Sequence, residues 1–155
     1  MKLALKSKKI GFVILSSDGQ KILDSVKDEK KLLKIKRRKN LAKDTTPMLP
    51  VMKDAIEYFE KKNRYKYMVK NLIIFDPTSP LRTLKDINSS IKLFEKKKPD
   101  LLVSAHKAQH NPYFSILEKK GRFYNLSKSS YKNLGSRQEA PEVYEINTLV
   151  WIYSR

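Results

Sequence analysis

Between Asp76 and Arg82 the chain reads Asp-Pro-Thr-Ser-Pro-Leu-Arg, which gathers a carboxylate, two hydroxyls (Thr78 and Ser79) and a guanidinium into one short segment. Pro77 and Pro80 fix their own φ and bias the residues before them away from helix, so the segment is a rigid loop. A planar guanidinium such as that of Arg82 can grip two oxygens of a carboxylate or phosphate at once. The loop therefore suits a carboxylate or phosphate, although the same residues also make an ordinary strand-to-helix turn with a surface arginine. Other chemistries are closed by composition. The chain has no cysteine, which removes disulfides, thiolate-bound zinc, iron–sulfur clusters and a thiol nucleophile. Its two histidines, His106 and His110, lack the glutamate of a zinc-binding helix and read as ordinary polar residues.

The elements that must position this loop follow from apolar patterning. Ile10–Leu15, Leu72–Phe75 and Leu101–Val103 are apolar without alternation, the pattern of interior strands buried on both faces. The second ends a longer β-rich stretch from Tyr67, and the first is followed by Ser16-Ser17-Asp18, where Asp18 can cap a helix carrying Ile22, Leu23 and Val26. A short strand is expected at Leu33–Lys36. Pro47 or Pro50 opens a helix with Leu49, Met52, Ile56 and Phe59 on its inner face. Thr83 and Asp86 have capping-box spacing, and Leu84, Ile87, Ile91 and Phe94 line one face of the helix that follows. A hairpin about Gly121 and a final strand over Val143–Tyr153 complete the pattern. Strands alternating with amphipathic helices predict an α/β fold with a mostly parallel sheet, and such sheets bind ligands at the carboxyl ends of their strands. Ser16–Asp18 and Asp76–Arg82 fall at such ends. At 155 residues the chain is read as a single domain, 1–155.

The net charge is +18. Lysines supply most of it and are scattered, and the densest run, Lys30–Arg38, also contains Leu32, Leu33 and Ile35. No recognised nucleic-acid motif accompanies them. The charge is read as solvated surface in preference to a nucleic-acid groove, and a polyanion site could equally serve a nucleoside triphosphate. No apolar run approaches the roughly 20 residues that span a bilayer. The expectation is a soluble, cytoplasmic protein with no membrane partner.

Four segments, in order, carry a resemblance. They are Ser16-Ser17-Asp18 ahead of a helix, Arg37-Arg38-Lys39-Asn40-Leu41-Ala42-Lys43-Asp44-Thr45-Thr46, Phe75-Asp76-Pro77-Thr78-Ser79-Pro80-Leu81-Arg82, and Arg137-Gln138-Glu139-Ala140-Pro141-Glu142-Val143-Tyr144-Glu145-Ile146-Asn147. Together they resemble the acylneuraminate cytidylyltransferases, the CMP–sialic acid synthetases, and their relatives acting on legionaminic and similar nonulosonic acids. The resemblance implies a Rossmann-like sheet of the nucleotide-diphospho-sugar transferase type. It implies transfer of CMP from CTP to a nonulosonic acid with release of pyrophosphate, assisted by Mg²⁺, and it admits a homodimer. It places Arg37 on the nucleotide side, and Asp76, Thr78, Ser79, Arg82, Arg137, Gln138 and Asn147 on the sugar side.

Departures from the family pattern carry weight. The family's basic glycine-rich loop, which wraps the triphosphate, has no match among Gly11, Gly19, Gly121 and Gly135, the only glycines present. The carboxylate pair that holds Mg²⁺ has no match either. Asp76 replaces a commoner glutamine, Arg38 a proline, and Met48 stands where a serine can occur. The expectation is a domain incomplete at both ends, a truncated form with its metal ligands absent. The alternative is a non-catalytic basic module for nucleic acid or a protein partner.

Overall fold

A computed structural model of the chain describes residues 1–129 and 135–155. They divide into two compact units, Met1–Leu102 with Leu149–Arg155, and Val103–Thr148. The first holds α1 (Lys2–Lys6), β1 (Val13–Ser17), α2 (Gln20–Asp24), β2 (Leu32–Lys36), α3 (Met48–Lys62), β3 (Asn71–Ile74) and α4 (Leu84–Lys97). Two strands belong to both units: β4 (Leu101–Lys107) and, after the β5 (Leu117–Lys120) and β6 (Phe123–Leu126) ribbon of the second unit, β7 (Tyr144–Ser154).

The chain is α/β, but the described strands do not form one mostly parallel sheet. β1 and β2 make a parallel pair, β3, β7 and β4 a separate sheet in that order, and β5 and β6 an antiparallel ribbon. β7 runs antiparallel to β3, with Ile73 opposite Ile152. The Ser154 N–H donates to the Asp100 carbonyl and the Ala108 N–H to the Val143 carbonyl, so β4 also runs against β7. β3 and β4 therefore point the same way, joined through α4 as the alternating pattern requires. The sequence could not reveal that the last strand inserts between them in the opposite sense, because strand order leaves no trace in an apolar run.

α4 follows its sequence signature closely. The Thr83 side chain accepts from the Asp86 N–H, and the Asp86 carboxylate accepts from the Thr83 N–H at 2.8 Å, which completes the capping box. Ile87, Ile91 and Phe94 are buried, and the helix ends at Lys98 in a left-handed conformation before Pro99. These side chains join Ala4, Ile10, Val150 and Ile152 in the core of the first unit.

Elsewhere boundaries move. β1 begins at Val13, not Ile10, because its ladder with β2 starts at the Val13–Leu32 pair, while Ile10 is buried in the core ahead of Gly11. Gly19, not Asp18, is the N-cap of α2, and Ile22 is exposed where Leu23 is buried. The stretch from Tyr67 yields only the four residues of β3. Arg64 and Tyr65 both have positive φ, so the chain turns there and β pairing starts late. In α3 the buried face carries Val51 and Phe59, and Leu49 is exposed. Met52 and Ile56 border a groove of about 450 Å³ with Leu72 and Tyr153.

Candidate functional site

The Asp76–Arg82 loop leaves the end of β3 as predicted. The Asp76 Oδ1 accepts from the Thr78 N–H at 2.8 Å and from its Oγ1 at 2.6 Å. The turn is local and self-contained, of the kind short carboxylates favour. The Thr78 hydroxyl, then its N–H, and more weakly Arg82, hold the Asp76 carboxyl below its usual range. Asp76 is thus an anion near neutral pH, with Oδ2 the oxygen not engaged by the turn.

Arg82 is the anchor of the loop. Its Nε donates to the Leu149 carbonyl on β7, its NH2 to the Asp76 carbonyl at 3.1 Å, and its guanidinium lies over the Phe75 ring at 4.8 Å. Burial pulls the Arg82 pKa down, with Asp76 opposing the shift. The group remains charged, because an arginine starts far above neutrality. Ser79 is half-buried within the loop, while Leu81 is 90% exposed at its tip.

Arg37 lies just past β2, in the same unit. Its backbone N–H donates to the Ser17 carbonyl at 2.9 Å. Its side chain donates through Nε to Ser16 Oγ at 3.2 Å and through NH2 to the Ser16 carbonyl at 2.9 Å. The first two sequence segments thus meet at the carboxyl ends of β1 and β2, where parallel pairing brings Ser17 opposite Lys36. Ser16 was visible in the sequence as part of a polar loop, but nothing in the spacing marked it as the arginine's partner.

The remaining predicted residues lie in the second unit. Arg137 and Gln138 are on a single 3₁₀ turn, Arg137–Glu139, and the Arg137 guanidinium sits 5.6 Å from the Phe114 ring centre. Asn147 on β7 accepts from Ser104 Oγ through Oδ1 at 2.5 Å. Ser104, which fixes the Asn147 amide, escaped the sequence reading; the only available signal was its place in a strand that had to pair with something. Lys107 bridges to Glu142 at 2.7 Å, which pulls the Glu142 pKa down, and His106 Nε2 lies 3.2 Å from the Glu145 carboxylate.

Among the described residues, no group of three His, Asp or Glu side chains is placed to hold a metal ion. A hard dication such as Mg²⁺ requires clustered oxygen donors, so these residues do not fit it, and no step below runs through a metal. No helix among the described residues is long and apolar enough to cross a membrane.

An α/β chain with polar loops at the carboxyl ends of its strands is the architecture of many enzymes that bind nucleotides and sugars. No family model matches the sequence. The chain is similar to the Post-translational flagellin modification protein B of Campylobacter coli, with 31% identity over 152 residues, 98% of this chain and 63% of that protein. It is equally similar, over the same shares, to the CMP-N,N'-diacetyllegionaminic acid synthase of Campylobacter jejuni, also at 31% identity. The chain is therefore similar along almost its whole length to a protein named as a CMP-legionaminic acid synthase, and it spans about 63% of the length of these curated relatives.

Proposed function

We propose that the chain is the central part of a cytidylyltransferase of the nucleotide-diphospho-sugar transferase type that joins CMP to a nonulosonic acid. A hydroxyl oxygen of the sugar acid attacks the α-phosphorus of CTP. The bond from that phosphorus to the bridging oxygen breaks, pyrophosphate leaves, and the hydroxyl proton passes to solvent. Such transfers depend on positioning and charge neutralisation more than on a protein nucleophile. Arg37, held on the Ser16–Ser17 end of β1, serves the nucleotide. The loop carrying Asp76, Thr78, Ser79 and Arg82 serves the sugar acid, and the resemblance assigns Arg137, Gln138 and Asn147 to the same substrate. Residues 1–155 then form one partial, Rossmann-like cytidylyltransferase domain acting in the cytoplasm.

One observation carries this reading. Four segments in the order of that family occur in a chain related to a named CMP-legionaminic acid synthase along almost its whole length. The β5–β6 ribbon adds a homodimer to the proposal, since Leu117, Phe123 and Tyr124 are each at least 60% exposed on a two-stranded element that is rarely stable alone.

The test uses a form of the chain extended with the flanking sequence of the Campylobacter jejuni relative and assayed for pyrophosphate release from CTP and a nonulosonic acid. Arg37→Ala should raise KM for CTP by about tenfold, the effect of one charge-assisted contact, with KM for the sugar acid unchanged. Asp76→Asn should do the reverse. Identical effects of both variants on both substrates would remove the assignment of sides.

A further inference from the structure

We propose that the pocket between the turn after α1 and the side of α4 binds a compact oligophosphate anion. The pocket measures about 310 Å³ and is lined by Lys6, Lys8, Lys9, Leu84, Asn88 and Lys92. No carboxylate lines it. Leu84, Asn88 and Lys92 recur every fourth residue, so they form one ridge of α4 facing the turn. Lys9 is paired with Glu95 at 2.7 Å, whereas Lys6, Lys8 and Lys92 make no ion pair among the described residues.

The pocket is held in shape from beneath. Ser7 is 1% exposed and donates its only hydroxyl hydrogen to Asn88 Oδ1 at 2.7 Å, while accepting from the Lys9 N–H at 3.3 Å. That bond fixes which way the Asn88 amide faces, leaving the Nδ2 hydrogens as donors. Lys31 Nζ crosses under the same turn and donates to the Ile10 carbonyl at 2.9 Å and the Ser7 carbonyl at 3.3 Å. A turn bearing Lys8 and Lys9 just past Lys6 is thereby pinned to a helix bearing Lys92.

The polar side chains that line the pocket are four lysines and the Asn88 amide, whose oxygen is already engaged by Ser7. What they offer a ligand is hydrogen-bond donors and positive charge. Like charges gathered on one pocket raise its positive potential, which an anion bound there would offset. A single phosphate neutralises this poorly, whereas two or three linked phosphoryl groups supply several negative charges within the available volume. The concave, short pocket favours a compact anion over an extended nucleic-acid backbone, whose phosphates would lie along a groove. This site uses no residue assigned to the cytidylyl-transfer site, so it stands or falls independently of that reading.

The test is isothermal titration of the full chain with tripolyphosphate and, separately, inorganic phosphate, at physiological ionic strength to suppress diffuse binding. The expected result is a saturable one-to-one complex in which tripolyphosphate binds about tenfold or more tightly than phosphate. Asn88→Asp keeps the oxygen that Ser7 binds and replaces the donor by a second carboxylate oxygen, so it should weaken tripolyphosphate by about tenfold or more. Lys92→Gln, on the outer end of the same ridge, serves if the aspartate variant misfolds, and should weaken binding severalfold. Lys119→Glu on the distant-in-sequence ribbon changes the net charge at least as much as loss of a pocket lysine would, and should alter affinity less than about twofold. Equal weakening by Lys119→Glu and the pocket variants, or binding that never saturates, would overturn the site in favour of general surface charge. A short single-stranded RNA that displaces tripolyphosphate and binds more tightly would overturn it in favour of nucleic acid.

Discussion

The segment from Phe75 to Lys98 and the β5–β6 ribbon both carry large apolar residues, yet they use them in opposite ways. In the first, Ile87, Ile91 and Phe94 are buried, the helix start is capped by Thr83 and Asp86, and the preceding loop is tied down by Arg82. In the second, all eight residues of the two strands are exposed, including Leu117, Phe123, Tyr124 and Leu126. The first segment places its apolar helix face in the core of its unit. The ribbon leaves its apolar residues on the surface, as a docking face would.

The largest expected effect lies at the buried end of this contrast. Ile87→Ala should destabilise by about 2–5 kcal/mol, since Ile87 is 1% exposed in the core. Leu117→Ala should cost less than about 0.5 kcal/mol, as exposed substitutions do. Denaturant titration of both variants checks the pair, and comparable losses would erase the distinction. Thr83→Ala removes the cap of α4 and should cost about 1 kcal/mol, read by the same titration. Lys98→Gly should stabilise by up to about 1 kcal/mol, because Lys98 sits at φ 49° where glycine carries no Cβ penalty.

Acid titration sharpens the same comparison. Hydrogen bonds from Thr83 lower the Asp86 pKa, and those from Thr78 lower that of Asp76. A carboxylate lowered on folding stabilises the native state above its ordinary value near 3.8 and loses that contribution as pH falls through the folded value. Glu60 behaves likewise from 4.5 downward, chiefly through the Val69 N–H and then Arg155. Thermal melts from pH 7 to pH 3 should show the stability of the first unit falling below about pH 4.5. Glu60→Gln should flatten that fall, and an unchanged profile would contradict the assignment.

How far the sequence reached follows from the same physics. The capped start of α4 and its buried Ile87, Ile91 and Phe94 were legible because capping and periodicity act locally. The Asp76–Arg82 segment was legible as a loop because its two prolines act on their own backbone and on the preceding residue. Sheet order was not, since β7 enters between β3 and β4 from far along the chain. The partners of the site residues were equally hidden: Ser16 for Arg37, Leu149 for Arg82 and Ser104 for Asn147 are brought in by strand pairing, which an isolated motif cannot announce. α3 misled through its own periodicity, because a stripe of apolar residues shows which side can be buried but not that Met52 and Ile56 would border a groove.

The most direct measurement of the central claim is pyrophosphate release from CTP and a nonulosonic acid by the 155-residue chain, run beside the extended form. The extended form should turn over, and the short chain should release little or no pyrophosphate. The glycine-rich, triphosphate-wrapping loop that the resemblance implies is not matched by any of the short chain's four scattered glycines, and fixed donors of that kind account for orders of magnitude in rate. An extended form without CTP-dependent turnover would contradict the proposed reaction, and a short chain turning over at the same rate would contradict the placing of its catalytic apparatus.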